Sequence, residues 1–353
     1  MVSSKNFEPN CICGVDLTPA YAEQVGRAVG TRMAAGRLVV GGDTRPSTPL
    51  LKEALIAGLL STGCEVYDVG TLPVPALSFA KDRFWADGAV MVTASHRPPQ
   101  ENGFKITLGK FPTTIEEIQD LLDAVESGGP FASGSGKLVI QNTLEPYATF
   151  LVARFVPTDS LRVTVDTGNG TMRRLVTPIL LSMEYEVTER EYESPDILVP
   201  DPSLDAPKAA LIQAVLDNHA HLGVAFDGDG DRVIFASERG RVLDPGLVIA
   251  LLARALLTYQ PGSQVIYDDS YAPFVADVVR QCGGVPTQLS GIQSDLKRAF
   301  LERGAILGGD RWGHYFFRAM GGDDPLYAML VLLRLISRTE GGLESLIADY
   351  VND

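Results

Sequence analysis

The sequence predicts an α/β protein in which three α/β/α-layered units follow one another along the chain. Three observations lead to this prediction. Short apolar strands alternate with amphipathic helices along the 353 residues. Turns that contain glycine and proline separate these segments. Hydrophobic residues make up 45% of the chain, which is enough to form ordinary globular cores.

The first unit is predicted over residues 1–142. Thr18 is suited to the N-cap position and Pro19 to the first position of a helix, which should stop at Gly36. The pattern then predicts strands and helices in alternation, with strands over 37–43, 64–70 and 88–95 and helices over 49–63 and 75–84. Residues 126–136 are rich in glycine and serine, which indicates a connection near a domain edge.

The second and third units are predicted over residues 143–244 and 245–353. In the second, a strand enters the glycine-rich turn near residue 168, and two further strands flank residues 227–232. In the third, the pattern predicts helices over 244–257, 291–304 and 324–337 and strands within 263–270 and 305–317.

Charge and hydropathy exclude two classes of partner. The net charge of −14 argues against non-specific binding to nucleic acid or to anionic membranes. The longest apolar run, residues 247–257, is too short to span a bilayer and contains Arg254. A phosphate-binding site in such a chain must gather positive charge locally, from a metal ion, backbone N–H groups or a few lysines and arginines.

The four cysteines do not suggest a disulfide framework. Cys11 and Cys13 could bind a soft metal, but no second cysteine or histidine pair accompanies them, so we interpret them as incidental. Cys64 and Cys282 are isolated in sequence. Such sparse cysteines fit a reducing compartment, and we expect a cytoplasmic protein.

Three aspartates mark a candidate metal site. Asp227, Asp229 and Asp231 alternate with glycines between two apolar strands. Carboxylates this close repel one another unless a cation lies among them, and oxygen ligands suit Mg²⁺ or Ca²⁺. A solvated acidic turn is the alternative interpretation, but the convergence of two apolar strands favours the metal site.

An EF-hand calcium loop is another interpretation of the same segment. With Glu238 the spacing of the acidic residues resembles that loop. However, Arg232 occupies the position that requires glycine, and the flanking segments have the pattern of strands, not helices. The sequence therefore disfavours an EF-hand.

A serine loop is the second candidate site. Ser95 follows a predicted strand, Pro98 and Pro99 stiffen the chain after it, and an Asn-Gly turn leads back to Lys105. A serine hydroxyl is a weak nucleophile alone and needs activation, which a divalent cation can provide for a phosphoryl group carried on that oxygen. The alternative is a capped loop with an ordinary hydroxyl.

Together the two motifs resemble the α-D-phosphohexomutase family, which includes phosphoglucomutases and phosphomannomutases. They are "TASHRPPQENGFK" at residues 93–105 and "DGDGDR" at residues 227–232. Residues 39–47, 165–170 and 308–317 look like further segments of the same family. The resemblance implies three consecutive domains of the family's α/β/α type.

The resemblance implies a reaction and the residues that carry it. A phosphoryl group on the enzyme would pass to a hexose phosphate and form a hexose bisphosphate, whose other phosphate would return to the enzyme. The phosphorylated residue would be Ser95, and Asp227, Asp229 and Asp231 would hold Mg²⁺ against its phosphate oxygens. His96, Lys105 and Arg232 would lie around the transferring group. The sugar would be recognised by the loop of Asp310, Arg311, Trp312, Gly313 and His314.

The sequence departs from the family in several places. Asp310 and Trp312 stand where the family has glutamate and serine. The segment 288–297 lacks the lysine and histidine that the family has there, with Lys297 nearby in sequence. The chain reaches residue 353 where the third domain should finish, so we expect the fourth domain to be absent. A partner or that missing domain would then supply the phosphate clamp, for which Arg97 and Arg311 could partly compensate.

These departures keep two other functions open. One is a catalytically impaired phosphosugar-binding or regulatory protein on a mutase scaffold. The other is a Mg²⁺-dependent phosphatase that hydrolyses the phosphoserine. His219 and His221 could bind metal, but the sequence favours ordinary histidines at the end of a helix.

Overall fold

The computed structural model describes residues 7–8, 11–14, 17–156, 160–194, 197–348 and 350. The chain divides into two compact units, Met1–Tyr147 and Ala148–Asp353. The first predicted domain, residues 1–142, lies within the first unit, whereas the third predicted domain and all but residues 143–147 of the second fall in the second unit. The division at residues 142 and 244 stays a prediction, and its outer ends, residues 1 and 353, lie outside the described residues.

The first unit is built on one seven-stranded sheet with the order β1-β2-β6-β5-β3-β4-β7. Its elements are β1 (Phe7–Glu8), β2 (Cys11–Gly14), α1 (Pro19–Arg32), β3 (Arg37–Gly42), α2 (Thr48–Ser61), β4 (Glu65–Thr71), α3 (Val74–Arg83), β5 (Gly88–Val92), β6 (Asn102–Leu108), α4 (Ile115–Ser127) and β7 (Lys137–Ile140). β3, β4, β5 and β7 run parallel, and β6 and β2 extend the sheet with antiparallel pairings. α5 (Leu144–Val152) crosses the boundary to the second unit.

The second unit holds two sheets, with the orders β11-β10-β8-β9 and β13-β12-β14-β15-β16. Its elements are β8 (Arg162–Asp166), a short 3₁₀ helix (Thr171–Arg174), α6 (Val176–Ser182), β9 (Glu186–Glu189), α7 (Asp205–Asp217), β10 (Leu222–Phe226), β11 (Val233–Ser237), α8 (Pro245–Leu257), β12 (Gln264–Asp268), α9 (Phe274–Gln281), β13 (Val285–Leu289), α10 (Gln293–Arg303), β14 (Leu307–Gly309), β15 (Tyr315–Phe317), β16 (Gly322–Asp323), α11 (Pro325–Ile336) and α12 (Gly342–Ile347). The predicted α/β class with three sheets is confirmed.

Local sequence signals explain several of these elements. The Thr18 hydroxyl accepts a hydrogen bond from the Tyr21 amide, and Pro19 opens α1, as predicted. α8 begins in the same way, since the Asp244 carboxylate accepts a hydrogen bond from the Gly246 amide. In both cases the cap satisfies a backbone donor that the first turn of a helix leaves without a partner.

The three sheets share one four-strand arrangement, formed by β6-β5-β3-β4, β11-β10-β8-β9 and β15-β14-β12-β13. Three neighbouring strands run parallel, and the last of them in sequence turns into an antiparallel partner: β5 into β6, β10 into β11, and β14 into β15. The predicted serine loop, aspartate turn and sugar loop are the three connections at these turns. The fold therefore places each candidate segment at an equivalent position in its own sheet.

The interpretation of Cys11 and Cys13 as incidental is wrong. The two cysteines form a disulfide across Ile12 in β2. Residues two apart in a strand direct their side chains to the same face, which brings the two sulfurs together. Cys64 and Cys282 are free thiols.

None of the helices within the described ranges is long and apolar enough to cross a membrane.

Candidate active site

The serine loop connects β5 to β6. Ser95 has a backbone φ of 50°, in the left-handed region that a non-glycine residue rarely adopts, and is largely buried. Such a conformation costs about 1 kcal/mol and persists only where the surroundings hold it. Nδ1 of His96 lies 3.5 Å from the Ser95 hydroxyl oxygen. Ser95 and the His96 ring therefore lie within reach of each other, and their catalytic roles stay a prediction.

Lys105 does return beside the strand that precedes the serine. It lies opposite Met91 of β5 and opposite Cys11 of β2 in the sheet register, and its side chain is half-buried. Directly opposed residues in antiparallel strands share a face. Lys105 and the Cys11–Cys13 disulfide therefore lie on the same face of this sheet.

Arg97 is engaged within the loop. Its guanidinium donates to the Glu101 carboxylate at 2.6 Å, and the two side chains are four residues apart. The expectation that Arg97 contributes a phosphate contact stays a prediction, and any such contact would have to share the guanidinium with Glu101.

The aspartate turn joins β10 to β11 in the second unit. The carboxylates of Asp227, Asp229 and Asp231 are buried, with 0%, 0% and 3% of each residue exposed, and one oxygen from each lies within 4.8 Å of the others. Gly230 adopts a φ of 70°, which permits the sharp turn between the second and third aspartates. Oxygens on opposite sides of a bound Mg²⁺ or Ca²⁺ are ~4–5 Å apart.

Arg232 holds this turn from within. Its amide and Nε donate to the Asp227 carboxylate at 3.0 and 3.1 Å, and Asp231 donates to the same carboxylate through its amide at 3.1 Å. Nη2 of Arg232 is buried and has no hydrogen-bond partner among the described residues. Burial lowers the pKa of Arg232, but Asp227 and Asp231 together raise it, so the guanidinium is charged.

The EF-hand alternative is excluded by the structure. The turn lies between two strands that pair antiparallel, from Leu222 opposite Ser237 to Phe226 opposite Val233. Glu238, which would be the distal calcium ligand, accepts a hydrogen bond from the Glu344 amide after the hairpin. The buried triad of hard oxygen donors therefore fits a divalent cation, but not in the EF-hand arrangement.

The loop between β14 and β15 is joined to the aspartate turn. The Val233 amide donates to the Gly313 carbonyl at 3.1 Å. His314 lies between two carboxylates, with Nδ1 2.7 Å from Asp310 and Nε2 3.4 Å from Asp231. Burial lowers the pKa of His314, but the two carboxylates outweigh it and raise that pKa to about 10. The imidazole is therefore a buried cation beside the triad.

Two of the predicted sugar-binding residues are hydrogen-bonded within the protein, Asp310 in a buried position and Arg311 with 46% of its side chain exposed. The Asp310 carboxylate accepts hydrogen bonds from the amides of Trp312 and His314 as well as from the His314 ring. Arg311 makes a two-pronged pair with Asp268, at 2.9 and 3.0 Å. Trp312, in contrast, is 61% exposed, so it is available to a ligand.

Other residues considered from the sequence have structural partners. Lys297 pairs with the buried carboxylate of Asp323, to which Gln293 also donates. His221 accepts a hydrogen bond from the Arg162 amide through Nδ1, and His219 is exposed. Among the described residues, the cluster of metal-binding type is the aspartate triad, and neither His219 nor His221 belongs to it.

Sequence reasoning missed Arg45 and Asp268. Both side chains are buried, Arg45 behind the serine loop and Asp268 behind Arg311. The signal for Arg45 was present in "GGDTRPS", a charged pair directly after an apolar strand, but its partners lie about 50 residues later in the chain. Nothing in the local pattern around Asp268 identified Arg311 as its partner.

Comparisons with known proteins agree with the geometry. Models of the phosphoglucomutase/phosphomannomutase α/β/α domains I and II match residues 10–128 and 145–240. A phosphomannomutase/phosphoglucomutase of Pseudomonas putida is 33% identical over 351 residues, which is 97% of this chain and 75% of that protein. A phosphoglucomutase of Neisseria gonorrhoeae is 32% identical, with 97% and 76% covered.

Solved structures give the same result. A phosphoglucomutase/phosphomannomutase family protein from Burkholderia thailandensis superposes with a TM-score of 0.93 at 32% identity, covering 100% of this chain and 81% of that one. A phosphoglucomutase of Paramecium, parafusin, superposes with a TM-score of 0.76 at 15% identity, covering 99% and 74%. At that lower identity the likeness concerns the fold alone.

Proposed function

Because this chain belongs to the phosphoglucomutase/phosphomannomutase family, we propose that it is an isomerase that interconverts hexose 1-phosphates and hexose 6-phosphates. The observation that carries this proposal is the aspartate triad, which is buried and whose oxygens lie close enough together to hold a cation. Bound there, a divalent cation, for which we propose Mg²⁺, would neutralise charge on phosphoryl oxygens.

The proposed reaction keeps one phosphoryl group on Ser95. The P–O bond to the Ser95 oxygen breaks as a hydroxyl of the hexose phosphate attacks phosphorus, which leaves a hexose bisphosphate and a free serine. The second phosphoryl group then returns to the serine oxygen from the other end of the sugar. Little covalent chemistry falls to the protein, so positioning and positive charge supply most of the rate.

The chain's cationic groups support this chemistry. In the first unit, His96 lies within 3.5 Å of the serine oxygen and is placed to exchange a proton with it. Lys105 adds a fixed positive charge on the returning strand. In the second unit, Arg232 and His314 are buried cations beside the triad. We assign the sugar-binding role to the exposed Trp312, whose ring can stack on an apolar sugar face.

Intact-mass spectrometry tests the proposal. After incubation with Mg²⁺ and glucose 1,6-bisphosphate, the wild-type chain should gain one phosphoryl group, and Ser95→Ala should gain none. Glucose 1-phosphate and mannose 1-phosphate should then be converted into the 6-phosphates. A chain that binds metal but gains no phosphoryl group would contradict the proposal and support the phosphosugar-binding alternative. Steady release of inorganic phosphate from the bisphosphate would support the phosphatase.

The proposal also includes what completes the site and where in the cell the protein works. The chain covers about three quarters of the length of its relatives, and we propose that a further domain or a partner completes the grip on the second phosphate. We also propose a cytoplasmic location, which the sparse cysteines of the chain support. The Cys11–Cys13 disulfide argues the other way, because disulfides persist mainly in oxidising compartments.

A further inference from the structure

The serine loop is built around one buried arginine. Arg45 follows β3, and its side chain is fully buried, as is that of Asp43 beside it. Its Nε donates to the Asp43 carboxylate at 2.8 Å. The other four N–H groups donate to backbone carbonyls of the serine loop, at 2.5–2.8 Å: those of Ser95, Arg97, Pro98 and Glu101.

All five N–H donors of the guanidinium are therefore used. Only a planar fork with donors on both sides can reach four carbonyls of one loop at once, and the ammonium of a lysine cannot reproduce this pattern. Burying a charged pair is unfavourable unless its hydrogen bonds are nearly complete, as they are here. The fold accepts this buried charge at the point where the loop turns around Ser95.

The Asp43 carboxylate extends the same network to the amide side of the serine. It accepts hydrogen bonds from the hydroxyls of Thr48 and Thr93, at 2.6 and 2.8 Å. The Thr93 hydroxyl oxygen in turn accepts a hydrogen bond from the Ser95 amide at 2.9 Å. Hydrogen bonds therefore hold the peptide groups on both sides of Ser95. The preceding peptide donates its N–H to Thr93, and the following peptide accepts a hydrogen bond from Arg45 through its carbonyl.

This arrangement accounts for the unusual backbone of Ser95. A φ of 50° is unfavourable for serine, and it persists here because hydrogen bonds from both sides hold it. The far end of the loop belongs to the same network, since Asn102 donates to the hydroxyl of Thr48 at 2.9 Å. The network therefore fixes where the serine hydroxyl is presented.

We propose that Arg45 is a positioning residue for phosphoryl transfer, which acts by holding Ser95 in its left-handed conformation. The role rests on the proposed function, because it matters for catalysis only if Ser95 carries the phosphoryl group. Arg45 acts on the backbone of the loop, since its five N–H groups donate to the Asp43 carboxylate and to four loop carbonyls.

Two measurements on Arg45→Lys test the proposal. Hydrogen–deuterium exchange over residues 93–102 should become about tenfold faster, since one lysine replaces four loop hydrogen bonds with at most two. In the phosphorylated enzyme, single-turnover transfer to glucose 1-phosphate should slow by about 100-fold, because small misplacements of the phosphoryl group on Ser95 relative to the attacking sugar hydroxyl have effects of that size. The KM for the sugar phosphate and the affinity for Mg²⁺ should stay within twofold.

Arg37→Lys is the matched control. Arg37 pairs with Glu65 in the same unit, at the opposite end of β3 from the serine loop. Its replacement should leave loop exchange and transfer rate unchanged. If Arg45→Lys does not fold, the isosteric Thr93→Val takes its place, because it removes the acceptor of the Ser95 amide, and the transfer rate should fall about tenfold.

The outcomes separate this proposal from the proposed function. Loop exchange and transfer in Arg45→Lys that match the wild type would overturn the positioning role, even if the enzyme is an active mutase. Lower thermal stability without faster loop exchange would also overturn it, because that is the result of a merely structural pair. If the wild type accepts no phosphoryl group, the proposed function fails, and loop exchange alone then decides whether Arg45 orders the loop.

Discussion

At the residue scale, the aspartate triad is a source of electrostatic strain that a cation relieves. Three carboxylates with oxygens within 4.8 Å repel one another in a buried setting, where screening by water is weak. Arg232 and His314 offset part of this negative charge, yet three carboxylate oxygens still lie within 4.8 Å of one another. The site is therefore organised to attract a divalent cation rather than to stand alone.

We expect Asp229→Asn to weaken Mg²⁺ binding by at least about tenfold, since changes around a metal site commonly have effects of 10–100-fold. Asp229 is the middle residue of the turn and is fully buried. Isothermal titration with Mg²⁺, or with Mn²⁺ as a probe, measures the change. Asp217→Asn, at the exposed end of α7, is the control and should bind as the wild type does. Equal affinities in the two variants would show that the triad is not the metal site.

The lowered pKa of His221 makes the free energy of unfolding depend on pH. Burial, together with the nearby Arg162 guanidinium, lowers its pKa below the ordinary 6.5. The folded protein therefore resists protonation of this imidazole more than the unfolded chain does. Its contribution to stability is complete above pH 6.5 and is lost as the pH falls from there through the folded-state pKa.

His221→Asn should flatten that pH dependence. The asparagine oxygen can accept the Arg162 amide as Nδ1 does, but it does not titrate. Thermal unfolding between pH 5 and pH 8 should show a smaller drop in Tm for the variant on the acid side. The exposed His219→Asn is the control, and it should keep the wild-type slope. A wild-type slope in His221→Asn would refute the assignment.

At the element scale, two glycines set how closely α1 and α2 pack. A Cβ atom on Gly26 would lie 2.2 Å from the Leu55 carbonyl oxygen, and one on Gly58 would lie 2.1 Å from the Glu23 carbonyl oxygen. These distances involve backbone atoms, which cannot move aside without separating the helices. The close crossing covers one face of the sheet with the apolar residues of both helices.

Gly26→Ala should therefore lower the free energy of unfolding by about 1–3 kcal/mol, the usual effect of overpacking, even though alanine is the better helix former. Urea unfolding at constant pH measures the change. Glu23→Ala on the same helix is exposed and should change stability by less than about 0.5 kcal/mol. A stabilised Gly26→Ala protein would mean that helix propensity outweighs the close contact.

The elements show what the sequence could and could not predict. Helices such as α1 were predicted because their caps and apolar spacing are local. α4 was overlooked although its capping box, Thr114 with Glu117, was a usable signal. The Cys11–Cys13 disulfide was not predicted, because the shared face of the two side chains becomes evident only once β2 is known to be a strand.

In the candidate site too, residues that are close in sequence could be predicted and partners that are distant in sequence could not. The aspartate triad and the serine loop were found because each is continuous in sequence. The partners that hold them come from distant positions: Arg45 for the serine loop, His314 for Asp231, and Asp268 for Arg311. A single sequence carries no information about such pairings, so these three partnerships become evident only with the fold.

At the scale of the whole molecule, the two sheets of the second unit should respond together to the metal. The aspartate turn belongs to the sheet of β8 to β11, and the loop 310–314 belongs to the sheet of β12 to β16. Among the described residues, the contacts that join the turn to the loop include Val233 to Gly313 and His314 to Asp231. Binding of a cation that orders the aspartate turn should therefore also order the loop 310–314, because hydrogen bonds connect the two.

We expect hydrogen–deuterium exchange to show this coupling. Mg²⁺ at 100 times its Kd should stabilise the metal-binding unit by about 2.7 kcal/mol and slow exchange in peptides from both of its sheets. The first unit contributes none of the triad, so in the unphosphorylated enzyme its peptides should exchange at unchanged rates. Asp229→Asn should abolish the whole effect. Protection confined to residues 222–237 would instead show that the second and third predicted domains respond independently, as the three-domain division of the sequence implies.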